Sequence, residues 1–166
     1  MSLIPQSSDR QYFFSVNQPV DLTGLGASLA INAYRTLKIL ELSLTVVGDD
    51  YDPLCGFDRE LRFIAGNNIL EELKLYLVVR DDATCRTESE DWSSFDSVLT
   101  ESDAFPMLHQ ALINICWGPT SRFPSELAML EILLGDKFPR LMESKAVEFK
   151  FCASLRNYDG AYTSEC

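Results

Sequence analysis

The chain has 166 residues, 46% hydrophobic and 23% charged, a balance that fits one globular unit and excludes a disordered chain. Asp and Glu number 25 against 14 Lys and Arg, and a net charge of -11 repels phosphate backbones and anionic headgroups, so neither nucleic acid nor a membrane surface is expected as a partner. The longest apolar runs, such as Leu73 to Val79 with Lys74 inside it, are too short for a hydrocarbon layer of about 30 Å.

In chain order, the opening Met1-Ser-Leu-Ile-Pro-Gln-Ser-Ser-Asp-Arg10 lacks a basic start followed by an apolar stretch, so no secretory signal and an intracellular address are expected. Tyr12 to Val16 is a candidate edge strand, and Tyr12-Phe-Phe14 a candidate cap. Leu22 to Ile31 reads as a poor helix, weakened by Gly24 and Gly26. Gly24-Leu-Gly26-Ala-Ser-Leu29 approaches the dinucleotide fingerprint, but Leu29 stands where a small residue is needed and Asn17-Gln-Pro-Val-Asp21 is no buried strand. A loop entering a helix is expected there.

A repeat then emerges. Leu37-Lys-Ile-Leu40-Glu-Leu42-Ser-Leu44 matches Leu70-Glu-Glu-Leu73-Lys-Leu75-Tyr-Leu77 position for position. Leu108-His-Gln-Ala111-Leu-Ile113-Asn-Ile115 is a third copy, and a weaker fourth begins at Leu141 and resumes the alternation at Val147-Glu-Phe149-Lys-Phe151. Leu40, Leu73, Ala111 and Val147 are taken as equivalents. Phe105-Pro-Met-Leu108 and Phe138-Pro-Arg-Leu141 introduce the two later copies, as Pro ahead of a strand allows.

Helical patterns separate the copies, as parallel strands require. Phe57, Leu61 and Ile64 recur at helical spacing after the candidate cap Asp58, ending at Gly66. Thr87 and Glu90 offer a capping box before Trp92, Phe95, Val98 and Leu99. A third pattern runs from Pro124 through Leu127, Leu130 and Leu134 to Gly135. Trp92 and Trp117 are expected in the core rather than in an aromatic cage.

Period-two alternation places Leu40, Leu42, Leu44, Leu73, Leu75, Leu77, Ile113, Ile115, Val147, Phe149 and Phe151 on one, buried sheet face. Glu41, Ser43, Thr45, Glu72, Lys74, Tyr76, Val78, Leu112, Asn114, Cys116, Glu148, Lys150 and Cys152 fall on the other, mostly polar face. A sheet with helices on both faces would read as continuous apolar runs. The expectation is therefore an α/β fold: a short, leucine-rich-repeat-like solenoid of about four to five parallel strands with helices on one side. Residues 1–36 form a cap or degenerate first repeat, 37–155 the β-α units, and 156–166 a disordered tail.

These phrases, with Gly66-Asn-Asn-Ile-Leu-Glu-Glu-Leu73, Glu90-Asp-Trp-Ser-Ser-Phe95 and Phe138-Pro-Arg-Leu-Met-Glu-Ser-Lys-Ala-Val-Glu-Phe149, resemble F-box and leucine-rich-repeat proteins of mushroom-forming fungi, from about Leu37 to Cys152. The resemblance covers the repeat region only. It implies repeats that hold a substrate protein for ubiquitin-ligase subunits recruited by an N-terminal F-box. The single string here similar to an F-box opening, Phe123-Pro-Ser-Glu-Leu-Ala-Met-Leu130, lies between the last two strands and reads as a repeat helix with Pro124 in its first turn.

His109 is the sole histidine and lacks a G-x-S-x-G elbow, so no Ser-His-Asp triad is expected. The 5 cysteines, Cys55, Cys85, Cys116, Cys152 and Cys166, form no C-x-x-C pair. Reduced thiols are expected, with Cys116 and Cys152 as neighbours on adjacent strands and Cys166 unpaired on the tail. Gly48-Asp-Asp-Tyr-Asp52 and Arg80-Asp-Asp82 gather carboxylates at one end of the sheet, where Asp49 and Asp50, with Asp82, would hold Mg²⁺ for phosphoryl transfer or phosphate binding; this is the enzyme alternative. The main expectation is not an enzyme and needs no cofactor or metal: a module binding another protein through Glu41, Ser43, Lys74, Tyr76, Asn114, Glu148 and Lys150, with Tyr76 as anchor. An uncovered end of the array would lead to self-association.

Overall fold

The computed structural model describes residues 4–6, 11–16, 22–32, 35–47, 52–66, 68–80, 90–118, 136–156 and 162–165. Its strands are β1 (Ile4–Gln6), β2 (Gln11–Val16), β3 (Ile39–Val46), β4 (Glu72–Val79), β5 (Gln110–Trp117), β6 (Glu148–Arg156) and β7 (Tyr162–Glu165). The helices are α1 (Leu25–Asn32), α2 (Phe57–Arg62), α3 (Glu90–Thr100) and α4 (Pro139–Glu143). The strands form one sheet in sequence order, β1 to β7. Neighbours from β2 to β6 pair in parallel, and the short edge strands β1 and β7 pair antiparallel. The fold is α/β. Residues 156–166, read from the sequence as a disordered tail, include β7.

Alternation in β3 and β4 decides the layer order. Leu40, Leu42, Leu44, Leu73, Leu75 and Leu77 are almost wholly excluded from solvent, while the side chains between them are half-buried. Burial of each such leucine stabilises the fold by roughly 1.5–3 kcal/mol. The same apolar cluster takes in Leu25 and Leu29 of α1, Phe57 and Leu61 of α2, Trp92, Phe95, Val98 and Leu99 of α3, and Leu141 of α4. The helices pack in chain order, α1 on α2, α2 on α3, α3 on α4. Stacked rings of Phe57 and Phe95, 5.7 Å apart, join α2 to α3, and Phe138, 6.2 Å from Phe95, carries the contact to α4.

Carboxylates tie the helix starts together. Glu60 on α2 accepts from the amides of Gly24 at 3.2 Å and Gly26 at 2.7 Å, ahead of and inside α1. Asp91 on α3 accepts from Gly56, the residue before α2, at 3.3 Å. Asp96, also on α3, accepts from Arg140 at 3.2 Å and Leu141 at 2.8 Å. Each carboxylate satisfies amides that a helix start leaves unpaired. Gly56 caps α2 in the left-handed region at φ 71°, so Asp58 lies inside the helix and is not its cap.

Two sequence expectations are corrected. Leu141, taken as the start of the fourth copy, lies in α4, where Pro139 occupies the first turn. The Ser144 hydroxyl then accepts from the amides of Ala146 and Val147, and this turn delays the strand to Glu148. Phe149, not Val147, therefore stands opposite Ala111, its ring 5.2 Å from Phe138. A two-residue shift preserves which side chains face out but changes their row partners. The helical pattern from Pro124 to Gly135, the F-box-like string and Thr87 lie outside the described residues.

Candidate functional site

The sheet face opposite the helices carries the predicted contact residues. Parallel register sets Glu41, Lys74, Leu112 and Lys150 in one row and Ser43, Tyr76, Asn114 and Cys152 in the next. Ile39, Glu72, Gln110 and Glu148 form the row before them. All of Glu41, Ser43, Lys74, Tyr76, Asn114, Glu148 and Lys150 thus share one face, because side chains of paired residues project to the same side. Exposure falls along the strands: Glu148 and Lys150 are exposed, Tyr76 and Asn114 half-buried, and Cys116, Cys152 and Ser154 buried.

Charges on this face are locally matched. Lys74 Nζ lies 2.5 Å from Glu72 Oε2, with 24% of each side chain exposed, and Lys150 Nζ lies 2.9 Å from Glu148 Oε1 in the open. The hydrogen bond it donates to Glu72 raises the Lys74 ammonium above its ordinary range against the opposing effect of burial, with further support from the charges of Glu72, Tyr76 and Glu41. Burial, then Glu41, pushes the Tyr76 phenol up, with Lys74 pulling the other way. Tyr76 is therefore a neutral hydroxyl at physiological pH, fit to donate and accept hydrogen bonds beside a fixed cation. Asn114 Oδ1 is a buried atom with no hydrogen-bond partner among the described residues. Glu72, left out of the sequence-derived contact set, was signalled by its place two residues before Lys74, on the same face with the opposite charge.

Other candidate chemistry resolves residue by residue. Gly24 and Gly26 donate to Glu60, so a carboxylate of the chain occupies the amides that a pyrophosphate would need. His109 is exposed, and its backbone continues the ladder, donating to Glu71 O at 3.0 Å and accepting from Glu148 N at 2.8 Å. Burial, then Asp91, raises the exposed Cys55 thiol, the opposite of what an activated nucleophile requires. Trp92 is buried as expected, and its indole N–H donates to Asp52 at 3.1 Å. Trp117 is likewise buried on the core side.

Asp49, Asp50 and Asp82 lie outside the described residues. Among the described residues no group of three His, Cys, Asp or Glu side chains could hold a metal ion, and no helix is long and apolar enough to cross a membrane. Cys116 and Cys152 are not direct neighbours: Cys116 faces Ser154, and Cys152 faces Asn114. A diagonal pair of this kind is about 7–8 Å apart, beyond ordinary disulfide reach. Cys116 and Cys55 are free thiols, whereas Cys152 is disulfide-bonded, against the expectation of reduced cysteines throughout.

Comparison with protein-family models, with curated proteins and with solved structures gives no match.

Proposed function

We propose that the chain is a protein-binding module, a short leucine-rich-repeat-like solenoid whose outer sheet face grips a partner protein. The observation that carries this proposal is the in-register polar surface on β3 to β6, with Tyr76 and Asn114 at its centre. A half-buried aromatic hydroxyl beside an amide oxygen with no partner among the described residues suits recognition by hydrogen bonds that strengthen as water is expelled. The neutralised Lys74 and Lys150 pairs add geometric selectivity more than affinity.

The narrower form of the proposal follows from the resemblance of Leu37 to Cys152 to fungal F-box and leucine-rich-repeat proteins: this face is the substrate-recognition part of an F-box-type ubiquitin-ligase protein. Affinity purification from the native cells, with mass spectrometry and a Lys74→Ala, Tyr76→Ala double variant alongside, tests both levels. Partners present with the wild type and lost with the variant support the binding face. Cullin-type ligase subunits retained by both proteins support the ligase role; their absence retires it. A partner set unchanged by the double substitution retires the face itself.

A further inference from the structure

The outer sheet face is complementary to itself. One of its rows runs Glu41, Lys74, Leu112, Lys150 from β3 to β6, and the next holds Tyr76 on β4 beside Asn114 on β5. A carboxylate on β3 and an ammonium on β6 thus stand at the same level, at opposite sides of four strands spaced about 4.8 Å apart. A twofold axis running along the strands between β4 and β5 brings two such faces together with their strands aligned. That rotation sets β3 of one copy against β6 of the other and β4 against β5, and it leaves the levels unchanged. Glu41 then meets Lys150 of the second copy and Tyr76 meets its Asn114, each contact occurring twice. Packed sheets lie about 10 Å apart, a gap that glutamate and lysine span together and that a phenol and a carboxamide also span.

We propose that this face binds a second copy of the chain, forming a weak twofold dimer closed by paired Glu41–Lys150 and Tyr76–Asn114 contacts. The proposal rests on the reading of the outer face as a binding surface and names its occupant. Lys150 carries its ammonium in the open beside Glu148, with 53% of the side chain exposed, so a second carboxylate can reach it. Asn114 Oδ1 has no partner among the described residues, and a turn of its amide presents that oxygen to a phenol hydroxyl. Lys74, already paired with Glu72, lays its stem over Leu112 of the second copy and adds no unmatched charge. A patch four strands wide and five residues long measures about 19 by 16 Å, at the small end of specific interfaces, so the association is reversible. Any other protein that uses the face competes with the second copy.

Sedimentation equilibrium of the full chain gives the test, at about 0.15 M salt, where the net charge of -11 is screened beyond about 8 Å. Between about 10 and 500 µM the wild type should rise from the 18.7 kDa monomer toward twice that mass. Glu41→Lys alone and Lys150→Glu alone set like charges against each other, and each should weaken association at least about tenfold. The double variant Glu41→Lys, Lys150→Glu exchanges the signs and should recover it. An equimolar mixture of the two single variants should recover it as well, because both contacts are again between opposite charges; unfolding of a single variant could not produce that recovery. A wild type that stays monomeric, single variants that associate as the wild type does, or exchanged charges that fail to recover association would each overturn the dimer. The Lys74→Ala, Tyr76→Ala purification reports on the face separately. A monomeric wild type whose partner is lost with that variant retires the second copy and keeps the face, whereas a monomeric wild type with an unchanged partner set retires both.

Discussion

A Cβ placed on Gly26 would stand 1.9 Å from the backbone oxygen of Glu60, the residue whose carboxylate also accepts the Gly26 amide. Contact and hydrogen bond come from the same neighbour, so α1 and α2 approach closely only because position 26 has no side chain. Gly26→Ala should destabilise the protein by at least about 2–3 kcal/mol, since backbone must move to relieve the clash. Glu60→Ala leaves two amides without an acceptor and should cost about 2 kcal/mol, Glu60→Gln less. Urea unfolding midpoints of the three variants would test this order.

Asp96 performs the corresponding task for α4, whose own cap position, Phe138, has no side-chain acceptor. Asp96→Ala should cost about 2–3 kcal/mol and Asp96→Asn less, because one amide oxygen can still accept. Burial raises the Asp96 carboxyl above its ordinary 3.8, although the Leu141 and Arg140 amides pull it down. A folded value above the unfolded one means that the folded state holds the proton more tightly. This contribution is complete below 3.8 and is lost as pH rises through the folded value. Wild type should therefore gain on Asp96→Asn as pH falls from neutral toward that window, by denaturation at matched ionic strength.

On the outer face the same kind of substitution should be almost silent in stability. Tyr76 and Lys74 are partly exposed, and the Lys74–Glu72 pair contributes only about 0–1 kcal/mol. The double alanine variant should keep its melting temperature within a few degrees while losing its partner. A large drop in melting temperature would mark the two side chains as structural.

The leucine rows should behave oppositely. Leu42 and Leu75 are paired across β3 and β4 and fully buried. Either one changed to Ala should cost about 2–5 kcal/mol, and the double variant should depart from additivity because the two cavities merge. Calorimetry on the single and double variants measures both effects.

Metal ions separate the two functional classes. A protein-binding module predicts no change in melting temperature on adding Mg²⁺. A rise abolished by Asp50→Asn would instead support phosphoryl chemistry in the acidic loop.

The sheet was legible where local pattern and long-range pairing coincide. In β3, β4 and β5 the leucines and isoleucines alternate without interruption, so one period-two rule yields strand, face and register together. At β6 it gave the face but not the register: Val147 is buried ahead of the strand and extends the alternation by one false step. The phrase Phe-Pro-x-Leu also carries less structure than its repetition suggests. It bends through a turn at Phe105 to Leu108 but begins α4 at Phe138 to Leu141. What the sequence concealed most fully was the role of Glu60, Asp91 and Asp96. Their amide partners lie 34 to 45 residues away, and no local spacing rule reaches that far. Seven outward residues fall on the face opposite the core, yet that Asn114 Oδ1 has no partner among the described residues became visible only once its neighbours were in position.

Sequential strand order has a kinetic consequence. Each strand pairs only with the strands before and after it in the chain, so each pairing closes one connecting segment and none has to span several units. Ordered structure can begin at the leucine-rich β3–β4 pair and grow outward in both directions, each new strand docking on an edge already made. Synthesis on the ribosome would deliver those strands in that same order, and growth toward the C-terminus could keep pace with the emerging chain.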